Sequence, residues 1–220
     1  MLAQQDPEIN ALLADLAAAE VAADATNQYA AVGPLGNAIR RANLALALGL
    51  ARQRGPDLLL IGEAPGYNGG RRTGVPFTSE RLLLAGVEPL GQFGAQRGFR
   101  QATDDGRSSA EQTATLVYRE LSALGRFAAG WNAYPFHPHQ LDRPLSNRLP
   151  RAAELRVGRR FLACFLALFP GVTVVAMGNV AAGALGALGV AHSKVRHPAQ
   201  GGARIFATQL RELFPLVQPE

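Results

Sequence analysis

Residues 58–83 read LLLIGEAPGYNGGRRTGVPFTSERLL, and the order of signals along them decides the fold. The turn-forming Gly55-Pro56-Asp57 precedes four consecutive apolar residues. A short apolar run bounded by turn signals predicts a strand covered on both faces, as in a parallel sheet flanked by helices. The run empties into a loop with glycines at 62, 66, 69, 70 and 74, which let backbone approach a ligand closely. The loop holds neither G-x-G-x-x-G nor a G-K-[ST] phosphate cradle, so it is not a dinucleotide or P-loop fingerprint. Phe77, after Pro76, stands just ahead of a helix that begins near Thr78. Its ring is either a surface for a planar base or an ordinary core ring.

Upstream, DPEINALLADLAAAEVAA opens with Asp6 and Pro7 and keeps helical apolar spacing. GNAIRRANLALALGLARQR follows the same logic, with Arg40, Arg41 and Arg52 as solvated or anion-facing positions. Downstream, helices are expected at SERLLLAG, SAEQTATLVYRELSALG, LRVGRRFLACFLALF, NVAAGALGALG and GARIFATQLRELF. Strands are expected near FAAGWNAYPF, GVTVVAMG and AHSKVRH. Residues 89–109, glycine-rich and polar, read as a mobile excursion. Strands alternating with helices predict an α/β fold with a parallel sheet and helices on both faces. Its ligand site belongs at the carboxyl ends of the strands, where the loops after LLLIG, GWNAY, VVAMG and SKVRH converge. With neither repeat nor linker, residues 1–220 form one expected domain, 1–54 being a helical part packed on it.

The chain is 48% apolar, which favours a packed core over disorder. Its formal charge is +5, and Lys194 is its only lysine. An arginine-rich basic chain suits nucleic acid, because the guanidinium fork grips phosphate bidentately. A GC-rich genome that writes arginine for lysine gives the same composition. Cys164 is the only cysteine, so it forms no intramolecular disulfide and no thiolate cluster. Within FLACFLALF it reads as buried packing. MLAQQDPEIN lacks a basic and then apolar leader, and no apolar run reaches membrane-spanning length. A cytoplasmic monomer without membrane contact is the expectation.

GEAPG followed by TGVPF resembles the first signature of the uracil-DNA glycosylase superfamily, most closely its thermophile-type branch. There the strand ends in GEAPG, and a later G-[RK]-P-F supplies a stacking phenylalanine. GWNAYPFHP resembles the strand bearing a base-reading asparagine, MGNVAAGAL the glycine-led helix start after the third strand, and RHPAQGG the closing H-P-[SA] loop. The resemblance implies a three-layer α/β/α sandwich with a central four-stranded parallel sheet. It also implies an enzyme that needs no cofactor and hydrolyses the N-glycosidic bond of uracil, or a related deaminated base, in single- or double-stranded DNA. Such an enzyme rotates the nucleotide out of the stack. By the resemblance, Phe77 stacks on the base and Asn132 reads its edge, a carboxamide offering both donor and acceptor. Gly62, Ala64 and Tyr67 complete the base pocket. His197 matches the histidine that donates a hydrogen bond to the charge developing on the base oxygen. Gly178, Asn179, Arg196, Ala199 and Gln200 are the expected DNA contacts, flanked by Arg71, Arg72 and Arg204. Read without the resemblance, Asn132 caps a turn near Pro135, and the arginines are solvated charges.

The chain departs from the family pattern at several points. The best-known branch has aspartate at the third position of the first motif, where this chain has Ala64. Glu63 is then the nearest carboxylate for orienting water, with Asn68 or backbone as alternatives. Tyr67 and Asn68 replace acidic residues of the thermophile-type branch. The four cysteines of an iron–sulfur cluster are missing, so packing alone must hold the N-terminal helices. Gly201, Gly202 and Ala203 follow HPAQ, leaving the closing loop without a clear apolar wedge. His137 and His139 lack a companion carboxylate or thiol cluster, so no metal is expected there. The alternative function is a weak or inactive nucleic-acid-binding member of the same fold, which Ala64 favours.

Overall fold

A computed structural model describes residues 6–215; residues 1–5, the start of the stretch read for a leader, lie outside them. Helix α1 (Pro7–Ala18) begins at Asp6, whose carboxylate accepts from the backbone N–H groups of Glu8 and Ile9. A two-residue strand β1 (Ala25–Thr26) leads to α2 (Gly36–Arg54), which buries Leu44, Leu48 and Ala51. The decisive apolar run is strand β2 (Leu58–Gly62), buried along its whole length. One-turn helix α3 (Gly70–Thr73) and α4 (Glu80–Ala85) follow, the latter capped by the Ser79 side chain. Next come α5 (Gln112–Ala123), β3 (Ala128–Asn132), β4 (His137–Pro138) and α6 (Ala152–Ala167). The chain continues through β5 (Val174–Met177), α7 (Asn179–Gly186), β6 (Ser193–Val195) and α8 (Ala203–Leu213).

The main sheet has the order β3-β2-β5-β6, every neighbouring pair parallel. Alternation along its strands builds two cores. Leu59, Ile61, Trp131 and Ala176 face one, covered by residues of α1, α2, α6 and α7. Leu58, Leu60, Val175 and Met177 face the other, covered by α4, α5 and α8. This is the expected three-layer sandwich. Trp131 of β3 stacks on Phe165 of α6 with centroids 5.0 Å apart, a pairing that contributes ~0.5–1.5 kcal/mol beyond its buried area. The chain order reverses at β2, which places a crevice at the carboxyl ends of β2, β3 and β5.

Three expectations need correction. Residues 89–109 are no loose excursion, since Leu90, Phe93 and Phe99 are buried in the second core and two short 3-10 turns shape the segment. Arg40 is buried rather than anion-facing: its Nε donates to Arg72 O, and Nη1 donates to Asn37 Oδ1. Arg41 donates to Tyr29 and Ala30 carbonyls, and Arg52 pairs with Asp6 and Glu8. Cys164 is exposed, because α6 turns Phe161, Leu162 and Phe165 inward and Ala163 and Cys164 outward. The antiparallel β1–β4 ribbon, absent from the sequence reading, ties the segment after α1 to the loop after β3.

Candidate active site

A cavity of about 580 Å³ opens where the strand-end loops meet. Phe77, Asn132 and His197 all line it, together with Glu63 and Ala64 from the loop after β2. The Phe77 ring covers Gly62 and Gly130: a Cβ at either glycine would come within 2.7 Å or 2.8 Å of it. Phe77 is therefore a core ring packed on the sheet that also lines the cavity. Its backbone adopts φ 56°, a left-handed conformation that costs an aromatic residue ~1–3 kcal/mol. The turn that enforces it is tied by Thr78 Oγ1, which donates to Val75 O at 2.8 Å.

Asn132, at the end of β3, is 4% exposed, and its carboxamide makes no hydrogen bond to the described residues. It does not cap a turn. A nearly buried amide without a protein partner is rare in folded chains, because desolvating it is unfavourable unless something else satisfies it. His197 is held as a neutral ring by burial and by neighbouring Arg196, both of which push its pKa below the ordinary value. Its Nδ1 accepts from the Ala199 backbone N–H at 3.1 Å, so the neutral ring carries its proton on Nε2. Burial also pushes the Glu63 carboxyl up from its usual range, and the Glu63 carbonyl accepts from Tyr134 N–H. Gly178, Asn179, Arg196, Ala199 and Gln200 complete the wall on the β5–β6 side.

With this geometry in place, the family model described as Uracil DNA glycosylase superfamily matches residues 49–220. The chain belongs to the uracil-DNA glycosylase superfamily. Among solved structures, wild-type SMUG2 from Pedobacter heparinus matches with a TM-score of 0.63 and 12% identity, over 94% of this chain and 96% of that one. At that identity the likeness shows the shared fold. No curated protein matches. Superfamily membership supports a DNA glycosylase-type function in general.

Other residues expected of a uracil-DNA glycosylase site fall outside the cavity wall. Tyr67 is at the exposed loop tip, where its backbone N–H donates to Asn147 Oδ1. Arg71 on α3 and the exposed Arg204 on α8 do not line the cavity. Arg72 does not line the cavity either, and its guanidinium donates to Glu80, Thr103, Asp105 and the Arg107 carbonyl. The glycine-rich loop is likewise shaped to the protein's own atoms. Gly66 and Gly69 leave room for the Glu111 carboxylate, and Gly74, at φ 80°, leaves room for the Arg40 backbone.

His137 is buried with Nδ1–H donated to Pro65 O at 2.8 Å, and desolvation pushes its pKa down to about 4. Among the described residues, no group of three or more His, Cys, Asp or Glu is placed to hold a metal ion. No helix among them is long and apolar enough to cross a membrane.

The wall also contains Glu111, Thr113, Asn147, Arg148 and Leu149, which the sequence did not announce. They come from the start of α5 and from the loop before α6, not from strand ends. Glu111 did leave a trace, since it occupies the N-cap position of α5, where serine, threonine, aspartate or asparagine is preferred.

Proposed function

We propose that the protein removes uracil or a related deaminated base from DNA by hydrolysing its N-glycosidic bond. The supporting observation is that Phe77, Asn132 and His197, distant in sequence, line a single cavity. In this reading the extruded base lies on the Phe77 ring, and Asn132 pairs with its edge. His197 donates from Nε2 to the oxygen that gains charge as the bond breaks, the kind of fixed donor that stabilises a leaving anion. Arg196 and the net charge of +5 favour phosphate at the rim, so affinity falls with rising salt. The loop before α6 exposes Leu141, Leu145 and Leu149, and Leu149 also lines the cavity. That loop supplies the apolar wedge missing from the closing loop.

The test is incubation of the protein with labelled single- and double-stranded DNA containing uracil, hypoxanthine or xanthine, followed by alkaline cleavage of abasic sites. Strand breaks that disappear in Asn132→Ala and His197→Ala are the expected result. Tight binding without breaks overturns catalysis and leaves the non-catalytic reading that Ala64 favours.

A further inference from the structure

Glu111 lines the cavity, and its carboxylate takes no part in the hydrogen bonds or ion pairs that tie the described residues together. It is the N-cap residue of α5, yet its side chain makes no capping hydrogen bond. Instead it crosses to the loop after β2. A Cβ on Gly66 would lie 2.8 Å from Oε1, and one on Gly69 would meet Oε2 more closely still. Two glycines of the motif loop thus leave room for this carboxylate. The Glu111 carboxylate has no hydrogen-bond partner among the described residues and lines the cavity. Even partial desolvation of an unpaired carboxylate is unfavourable, so hydrogen bonding within the fold does not explain the position of this half-buried side chain.

The backbone before it is firmly held. Asn68 donates from its carboxamide to Ala110 O at 2.8 Å. Ser109 N–H donates to the Glu80 carboxylate at 3.0 Å, and Glu80 N–H donates to Ser109 Oγ at 3.1 Å. Glu80, fully buried, is in turn paired with Arg72. The arginine expected to touch DNA thus braces the segment that carries Glu111.

We propose that Glu111 is the general base that takes a proton from the attacking water, in the base-removal reaction proposed above. As the C1′–N bond breaks, its electron pair leaves with the base, whose oxygen accepts from His197. The water oxygen bonds to C1′, its proton passes to the Glu111 carboxylate, and the sugar becomes a hemiacetal. The departing base anion is protonated by solvent on release. Burial pushes the Glu111 carboxyl up to about 7, which suits a base working near neutrality. The other titratable or charged groups on the cavity wall are Glu63, Arg148, Arg196 and the neutral His197. Arg148 is neutralised by a two-pronged bond to Glu154, and Arg71 and Arg72 lie on α3 beside the same loop.

The experiment is single-turnover excision from uracil-containing single-stranded DNA between pH 5.5 and 9, using wild type, Glu111→Gln, Glu111→Ala and Glu63→Gln. The wild-type rate is expected to rise through about pH 7 and level off, and Glu111→Gln to lose that rise with a rate loss on the order of 10²-fold or more. Glu63→Gln retains the rise, whatever its amplitude. Added formate restores Glu111→Ala in part, which a structural defect does not allow. A Glu111→Gln variant with the wild-type rate and profile, a rise that disappears with Glu63 instead, or failure of formate to rescue overturns the proposal while leaving base removal intact. A wild type that releases none of the tested bases overturns both.

Discussion

Gly62 and Asn132 are register partners at the carboxyl ends of β2 and β3, and Asn132 Oδ1 lies 2.8 Å from where a Cβ on Gly62 would stand. The Phe77 ring comes within 2.7 Å of the same point. One hydrogen in place of a methyl group therefore sets the position of both the aromatic surface and the amide. Gly62→Ala is expected to displace one or the other. Overpacking of this kind costs about 1–3 kcal/mol, a modest loss in a melting experiment. Base release should fall as well, on the order of 10²-fold, because a misplacement of about 1 Å among groups that hold the substrate can cost that much. Equal, small losses in melting temperature and in single-turnover rate would show that the two side chains do not work as a pair.

Phe77 requires a variant that separates its two roles. Phe77→Ala removes the ring from the core as well as from the cavity, and the resulting void alone destabilises by about 3–5 kcal/mol. Phe77→Leu keeps apolar volume on Gly62 and Gly130 but has no planar face. Excision by Phe77→Leu is expected to drop by the equivalent of a stacking interaction, ~1–3 kcal/mol. Its melting temperature should stay well above that of Phe77→Ala. A Leu variant with the wild-type rate would assign the ring to packing alone.

The strands and most helices were legible because their signals are local. LLLIG and VVAM are short apolar runs between turn residues, and each became a fully buried strand. The convergence of the loops that carry Asn132 and His197 followed from strands alternating with helices, whereas the choice of those two residues came from the resemblance. Signals failed where a side chain answers to something distant in sequence. FLACFLALF is apolar throughout, yet only the face of Phe161, Leu162 and Phe165 meets the sheet, so Cys164 is left in solvent. Arg72 looked like a free cation until Glu80 and Asp105 were brought beside it. Residues 89–109 looked polar because the glycines outnumber the three apolar side chains that anchor them. Glu111 reaches the cavity only through tertiary folding, and no spacing rule joins it to Gly66 and Gly69.

Leu149 offers a test of how the duplex is engaged. It is 67% exposed at the cavity edge, while its neighbour Arg148 is fixed by Glu154 and by the carbonyls of Asp24 and His139. An apolar side chain on an anchored loop is suited to filling the gap left by an extruded nucleotide, where unstacking costs a few kcal/mol. Leu149→Ala is expected to slow excision from double-stranded DNA by on the order of ten-fold and to leave single-stranded DNA almost unaffected. A uniform effect on both substrates would assign Leu149 to the base pocket rather than to the wedge.

Glu111 also makes a prediction that needs no substrate. Its carboxyl has an ordinary value of 4.5, and burial raises it to about 7 in the folded protein. Between those values the folded state holds a proton that the unfolded chain releases, so stability declines as pH rises through that window. The penalty is absent below about pH 4.5 and complete above about pH 7. Glu111→Gln removes the ionisable group and with it the penalty. The variant should therefore melt higher than wild type at pH 8, with the gap narrowing steadily toward pH 5. Thermal melting across that range, read by circular dichroism, checks it. A Glu111→Gln protein that melts lower than wild type at pH 8 would mean that the carboxylate is stabilising, and that its place beside Gly66 and Gly69 serves the fold.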